Sequence, residues 1–199
     1  MERYVRKSRE ERQQEIHRAA IQVFLEKGYK NATMEDLVKA TTLSKGGLYH
    51  YYSNTRDILI DIMRLGTRSF VEQELKVALD ASREEVCRTV TGVLVEKILT
   101  ETPERRLFLM FAFEIIYDPQ IENIYLELEQ EAFALLEEIL RIRIPDYDCV
   151  RKREKRLFLS RLVNALTLSQ NLFSDKDICK THEDWLFNML YEVVNDLFA

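Results

Sequence analysis

TMEDLVKATTLSKGGLYHYYSNTR, residues 33–56, holds two short helical segments separated by a tight turn. Thr33 offers a hydroxyl to cap the first, with Asp36 three residues on as its reciprocal partner, and Met34, Leu37 and Val38 give that helix one apolar side. Leu43 closes the turn. Ser44 is a second N-cap, so Lys45, Gly46 and Gly47 form the first turn of a new helix, whose free N–H groups and positive dipole end favour a phosphate. The two glycines are expected to let backbone approach backbone. Lys45, Tyr49, His50 and Tyr51 then fall on the outer side of the second helix, an arrangement suited to reading DNA.

The flanking sequence supplies the rest of a three-helix unit. A first helix is expected over Ser8 to Lys27, where Ser8 and Glu11 make a capping box and Ile16, Ala19, Ala20, Val23 and Phe24 recur as one buried stripe. Gly28 stops it, Tyr29 packs back on the apolar side, and Leu48 and Tyr52 point inward to meet Phe24 and Leu37.

Only five Gly and three Pro occur in 199 residues, and no sustained alternation of apolar and polar residues is present, so the whole chain reads as all-α with about nine helices. With 46% hydrophobic residues it can bury a sizeable core, as one or two domains. Its start is charged rather than apolar, and its longest apolar run, Leu107 to Phe113, is far short of the ~20 residues of a membrane span. A cytoplasmic protein with no membrane association is expected. Residues 1–60 hold 11 Lys+Arg against 8 Asp+Glu, whereas residues 61–199 hold 18 against 26, so the basic end is the nucleic-acid end. Arg3, Arg6, Lys7, Arg9 and Arg12 form an arm that either neutralises phosphates or is plain solvated surface.

Cys87, Cys149 and Cys179 are widely spaced, and His17, His50 and His182 share no ligand spacing with them, so neither a disulfide framework nor a metal site is expected. No phosphate-cradling glycine loop, nucleophile elbow or metal-ligand helix occurs. The chain is expected to be no enzyme and to need no cofactor.

Caps place the later helices. The fourth is expected from Thr55 to about Leu79, the fifth from Ser82 with Glu85 to about Leu99, the sixth from Thr102 with Pro103, and the seventh from Asp118 with Pro119. Pro145 marks a break; the eighth spans about Cys149 to Phe173, and a ninth, capped by Asp184, runs from Thr181 to Leu197 after the connection SDKDICK. LFLMFAFEIIY in the sixth is apolar nearly all round, which predicts a helix enclosed by others. Glu114 within it either faces outward, is salt-bridged, or lines a pocket and meets a cationic ligand. The basic run RKREKR, residues 151–156, is expected to be a solvated face opposite the acidic LELEQE of the seventh helix.

Over roughly the first third of the chain these residues resemble the TetR family of bacterial transcriptional repressors, through Phe24, Gly28 and Tyr29, a threonine-capped helix, and above all LSKGGLYHYY, Leu43 to Tyr52. The resemblance implies DNA contacts from Thr33, Ser44, Lys45, Gly46, Gly47, Tyr49, His50, Tyr51, Thr55 and Arg56, with Thr33 and Tyr51 on phosphate and Lys45 and Gly47 facing base edges. Two departures stand out: the family usually has glycine where Thr42 stands, and lysine at Thr55, for which Arg56 is the neighbouring substitute. It implies a DNA-binding domain over residues 1–54 and a ligand-binding and dimerisation domain over 55–199. Phe108, Phe111, Glu114, Tyr117, Tyr125 and Phe133 are the expected lining of a cavity for a small-molecule inducer, against the alternative of ordinary core. Leu162, Leu166, Ser169, Leu186, Leu190, Val193 and Leu197 are expected to form a homodimeric four-helix bundle, with intramolecular packing as the alternative, above all for Trp185. The function implied is a repressor released from a near-palindromic double-stranded operator by an inducer. Competing readings are a regulator controlled by a partner protein without a small-molecule pocket, and a helical carrier or enzyme.

Overall fold

Ser8, extended at φ −64° and ψ 170°, accepts the Glu11 N–H, and the Glu11 carboxylate accepts the Ser8 N–H, so α1 (Arg9–Lys27) opens on the expected capping box. The structure is a computed structural model and describes residues 7–71, 81–143, 152–173, 175 and 177–198. α1 ends where Gly28 takes φ 79°, a left-handed conformation that costs a residue with a Cβ, and donates its N–H to Phe24 O at 2.9 Å. A 3-10 turn (η1, Tyr29–Asn31) follows, with the Tyr29 ring edge-on to Phe24. α2 (Met34–Ala40) carries the Thr33/Asp36 capping box, and α3 (Lys45–Tyr51) is capped by Ser44. Asn54 accepts the Asp57 N–H at the start of α4 (Thr55–Ser69). After it come α5 (Arg83–Leu99), α6 (Pro103–Glu114), α7 (Pro119–Arg143), α8 (Arg153–Leu172), α9 (Asp177–Thr181) and α10 (Glu183–Phe198). Helices are the only regular elements among the described residues.

Two compact units result. The first joins the described residues of Met1–Gly66 to Thr102–Tyr125, so α6 belongs with the N-terminal helices and packs on α1. Ile16, Ala20, Phe24, Leu37, Leu48, Ile58, Leu59, Leu107 and Phe111 are fully buried there, and each Ile, Leu or Phe among them is worth roughly 1.5–3 kcal/mol of burial. Phe24, Leu37 and Leu48 are thus in the core as expected, with Tyr52 8% exposed beside them. The second unit, Thr67–Glu101 with Leu126–Ala199, packs α5 against α8 and α10 around Val86, Cys87, Val90, Ile98, Val163, Leu190 and Val194. Buried Thr91 and Thr167 return their hydroxyl protons to carbonyls four residues back, which leaves no polar group of theirs stranded.

Several expectations change. α4 is described to Ser69, and its expected extension through Leu75 to Leu79 lies outside the described residues, as do Arg3, Arg6, Pro145, Cys149 and Arg151. α8 starts at Arg153. The expected connection SDKDICK supplies all but the last residue of α9: no Gly or Pro interrupts it, and Asp177 sits in its first turn where a carboxylate suits the helix dipole. Asp184 consequently stands inside the first turn of α10 rather than as its cap. α6 is enclosed on one side only, since Leu107 and Phe111 are buried while Phe113 is 41% exposed. RKREKR is not a solvated face throughout: Arg156 is buried over the Phe133 ring and pairs with Glu137, and Lys155 pairs with Asp196. From LELEQE, Glu129 instead receives Arg161 in a two-pronged contact at 2.8 and 3.1 Å. Trp185, for which packing within its own chain is the alternative to a dimer contact, is 75% exposed. Among the described residues no helix is long and apolar enough to cross a membrane, and no three His, Cys, Asp or Glu converge as metal ligands would.

Candidate nucleic-acid interface

α3 is a seven-residue helix held by its inner side and bare on its outer side. Leu48 is fully buried and anchors it, while Lys45, Tyr49 and His50 are exposed, with Tyr51 half-buried. The Lys45 ammonium lies 3.7 Å from a Glu35 carboxylate oxygen with both side chains in water, a pairing worth little and easily exchanged for a phosphate or a base. His50 meets Tyr51 edge-on, ring centres 5.5 Å apart. The Gly47 N–H donates to Ser44 Oγ at 3.1 Å. The glycines differ in role: a Cβ on Gly47 would crowd Ser44 Oγ at 3.3 Å, whereas one on Gly46 would meet open space, so only Gly47 answers to close intramolecular approach.

Of the other expected DNA contacts, Thr33 and Arg56 are engaged within the chain. Thr33 is exposed, but its hydroxyl donates to Asp36 at 2.7 Å, and hydrogen bonds from Lys27 first and then Thr33 hold the Asp36 carboxyl down at about 2. Thr55 is half-buried at the start of α4. Arg56 turns to Asp118 Oδ2 at 2.6 Å and Gln120 Oε1 at 2.7 Å. Thr42 sits without strain in the place of the family's glycine, because no non-glycine residue among those described has positive φ.

Beneath the reader lies a polar knot that sequence reasoning missed. Tyr52, capping α3, donates its phenol proton to Asp61 of α4; His17 Nε2 of α1 lies 2.8 Å from the same phenol oxygen and 3.1 Å from the carboxylate. A neutral ring with its proton on Nε2 satisfies all three groups. Its signal was present as polar residues at inward positions: His17 beside Ile16, Asp61 between Ile58 and Ile62. Burial lowers the His17 pKa, with Asp61 opposing, and burial together with the Asp61 contact raises that of Tyr52. Because His17 titrates lower when folded, the unfolded chain takes up this proton first as pH falls below about 6.5, and stability drops with it, by at most about 1.4 kcal/mol per pH unit. His17→Gln, which keeps a donor near Nε2 and cannot titrate, is expected to show a smaller fall in melting temperature between pH 7.5 and 5.5 than the unaltered chain; equal falls would exclude this origin.

Of the expected ligand residues, Phe108, Phe111 and Tyr125 come together, with ring centres 6.2 and 6.4 Å from Tyr125. Tyr117 does not join them: it is 72% exposed, with the Lys30 ammonium 4.3 Å over its ring. Glu114 is salt-bridged to Lys30 at 3.1 Å, the alternative its position left open. Phe133 lies against Arg156. Of the expected dimer residues, Leu186, Leu190 and Leu197 are buried in their own chain, Leu162, Leu166 and Val193 are half-buried and Ser169 is exposed.

A capped, three-helix bundle presenting α3 outward defines a helix-turn-helix domain, and residues 16–62 match the family model described as bacterial regulatory proteins, tetR family. The likeness to the TetR family model rests on this domain. It is 40% identical over 58 residues to the HTH-type transcriptional regulator YfiR of Bacillus subtilis, covering 29% of this chain and 28% of that one. It is 24% identical over 131 residues to the HTH-type transcriptional repressor AcnR of Corynebacterium glutamicum, covering 66% of this chain and 63% of that one. The chain thus spans less than two thirds of either relative in these matches. Among solved structures, Salmonella enterica GusR shares the fold with a TM-score of 0.66 at 19% identity, over 94% of each chain. The named relatives are regulators rather than enzymes.

Proposed function

We propose that this chain is a DNA-binding transcriptional regulator, with residues 1–54 as the reader and residues 55–199 carrying ligand binding and dimerisation. The outward face of α3, with Lys45, Tyr49 and His50 in water over a fully buried Leu48, carries this reading. A homodimer accounts for the exposed apolar side chains of the last helices, Phe158 and Leu172 on α8 and Trp185 and Met189 on α10, flanked by Leu162, Leu166 and Val193. Two-fold symmetry then sets two readers about 34 Å apart on successive major grooves, so the operator is a near palindrome. Repression is favoured by the name of the AcnR relative.

Release by a small molecule is supported by the cluster of Phe108, Phe111 and Tyr125 on the helices whose joining turn also holds the reader. Glu114 and Asp118 bond Lys30 of η1 and Arg56 of α4, so a ligand that moves α6 pulls on both. Such a ligand must bind the two arrangements unequally, or no population shifts. Selection of duplexes from a random-sequence pool by the purified chain tests the reading: a near-palindromic sequence with salt-dependent affinity is expected, and enrichment of nothing overturns it.

A further inference from the structure

Thr42 stands in the middle of the connection between α2 and α3, and its polar groups are tied to α1. Its N–H donates to Glu15 Oε1 at 2.7 Å, its hydroxyl donates to the same oxygen, and that hydroxyl accepts from Arg12 Nη1 at 2.8 Å. The second Glu15 oxygen receives Arg12 and Lys7, each at 2.8 Å. Glu15 and Arg12 are only 12% and 15% exposed, whereas Thr42 and Lys7 stand in water, so the charge-assisted bonds are shielded on the α1 side alone. A glycine at position 42 could make the N–H bond but neither of the hydroxyl bonds. We propose that Glu15 and Thr42 form a clasp that positions the recognition helix α3, and that Glu15, by holding Lys7 and Arg12, withholds two cations from indiscriminate phosphate contact. The clasp is therefore a specificity device, resting on the DNA-reading function proposed above.

Both halves follow from geometry. The turn determines the direction in which α3 leaves α2, and a cross-link from its middle residue to a long helix removes a degree of freedom that would otherwise be lost only on DNA. Preorganisation of that kind strengthens specific binding. Meanwhile each cation removed from the phosphate-contacting set lowers the sequence-independent electrostatic attraction. Burial acts to raise the Glu15 pKa, but hydrogen bonds from Lys7, Thr42 and Arg12 outweigh it and bring it to about 2. Glu15 thus remains ionised and the clasp stays closed at physiological pH.

The test uses the full chain with two probes, a duplex selected by the unaltered chain and a scrambled duplex of equal length. Thr42→Val keeps shape and charge but loses both hydroxyl bonds; it is expected to weaken binding to the selected duplex about tenfold, leaving the scrambled duplex and the salt slope unchanged. Thr42→Ser should restore affinity to within about twofold. Glu15→Gln should weaken selected binding while strengthening scrambled binding, with a salt slope steeper by about one to two units as Lys7 and Arg12 reach phosphates. A merely structural role would weaken both duplexes together. Thr42→Val binding the selected duplex like the unaltered chain, or Glu15→Gln failing to gain on the scrambled one, overturns the proposal. Hydrogen exchange at the Thr42 amide separates it from the underlying reading: slow exchange that quickens in Glu15→Gln is expected. An amide already fast in the unaltered chain refutes the clasp, whereas a chain that selects no duplex refutes the DNA-reading function itself.

Discussion

Replacing Lys45 and Tyr49 together by alanine is expected to cost more than a hundredfold in affinity for the selected duplex, with the melting temperature unchanged. Both side chains are exposed, at 67% and 45%, and Lys45 makes a loose 3.7 Å approach to Glu35, so neither supports the core. A good base-edge contact is worth about 1–3 kcal/mol, and a two-fold complex loses each contact twice. Fluorescence anisotropy at two salt concentrations measures the loss. Retained affinity within about threefold would mean that α3 is not the reading element. Leu48→Ala is a poor substitute, since this fully buried side chain would take the fold with it.

Phe158→Glu combined with Trp185→Glu is expected to yield a folded monomer that binds the palindrome as weakly as a single half-site. Phe158 and Trp185 are 63% and 75% exposed, and aromatic side chains of this size bury roughly 150–250 Å² each when an interface covers them. Phe158, Leu162, Ala165, Ser169 and Leu172 recur at alternating spacings of four and three, the stripe that suits helix pairing. Symmetry would place four new carboxylates in that contact, where unpaired charges each cost several kcal/mol. Light scattering should show the mass of one chain, about 23.7 kDa. A variant that remains dimeric would move the interface off these two helices. Both positions are largely exposed in the single chain, so circular dichroism should be unaltered.

Legibility from sequence followed the range of each interaction. Ser8 with Glu11, Thr33 with Asp36, Ser82 with Glu85, and the caps at Ser44 and Thr102 all appear as side-chain to backbone bonds three residues long, because everything they need lies in one turn. His17 with Asp61, Glu15 with Thr42, Lys30 with Glu114 and Arg56 with Asp118 depend on where helices distant in sequence cross, and no local pattern announces them. Trp185 shows the same limit on an apolar face. The helical period marks one side as greasy, but a covering from within the chain and a covering by another copy leave identical spacing. RKREKR was divided by a similar cause, with Arg156 turned to the interior and Lys155 to the end of α10.

Because α6 rests on α1 and buries Leu107 and Phe111 in the same unit, the N-terminal domain is built from two separate stretches of gene. Severing the chain after Gly66 would strip α1 of a packing partner and wet a greasy seam. Swapping readers between homologues by a single recombination crossover is therefore a poor route to new operators; a viable chimaera has to carry the segment around residues 102–125 along with its own first helices.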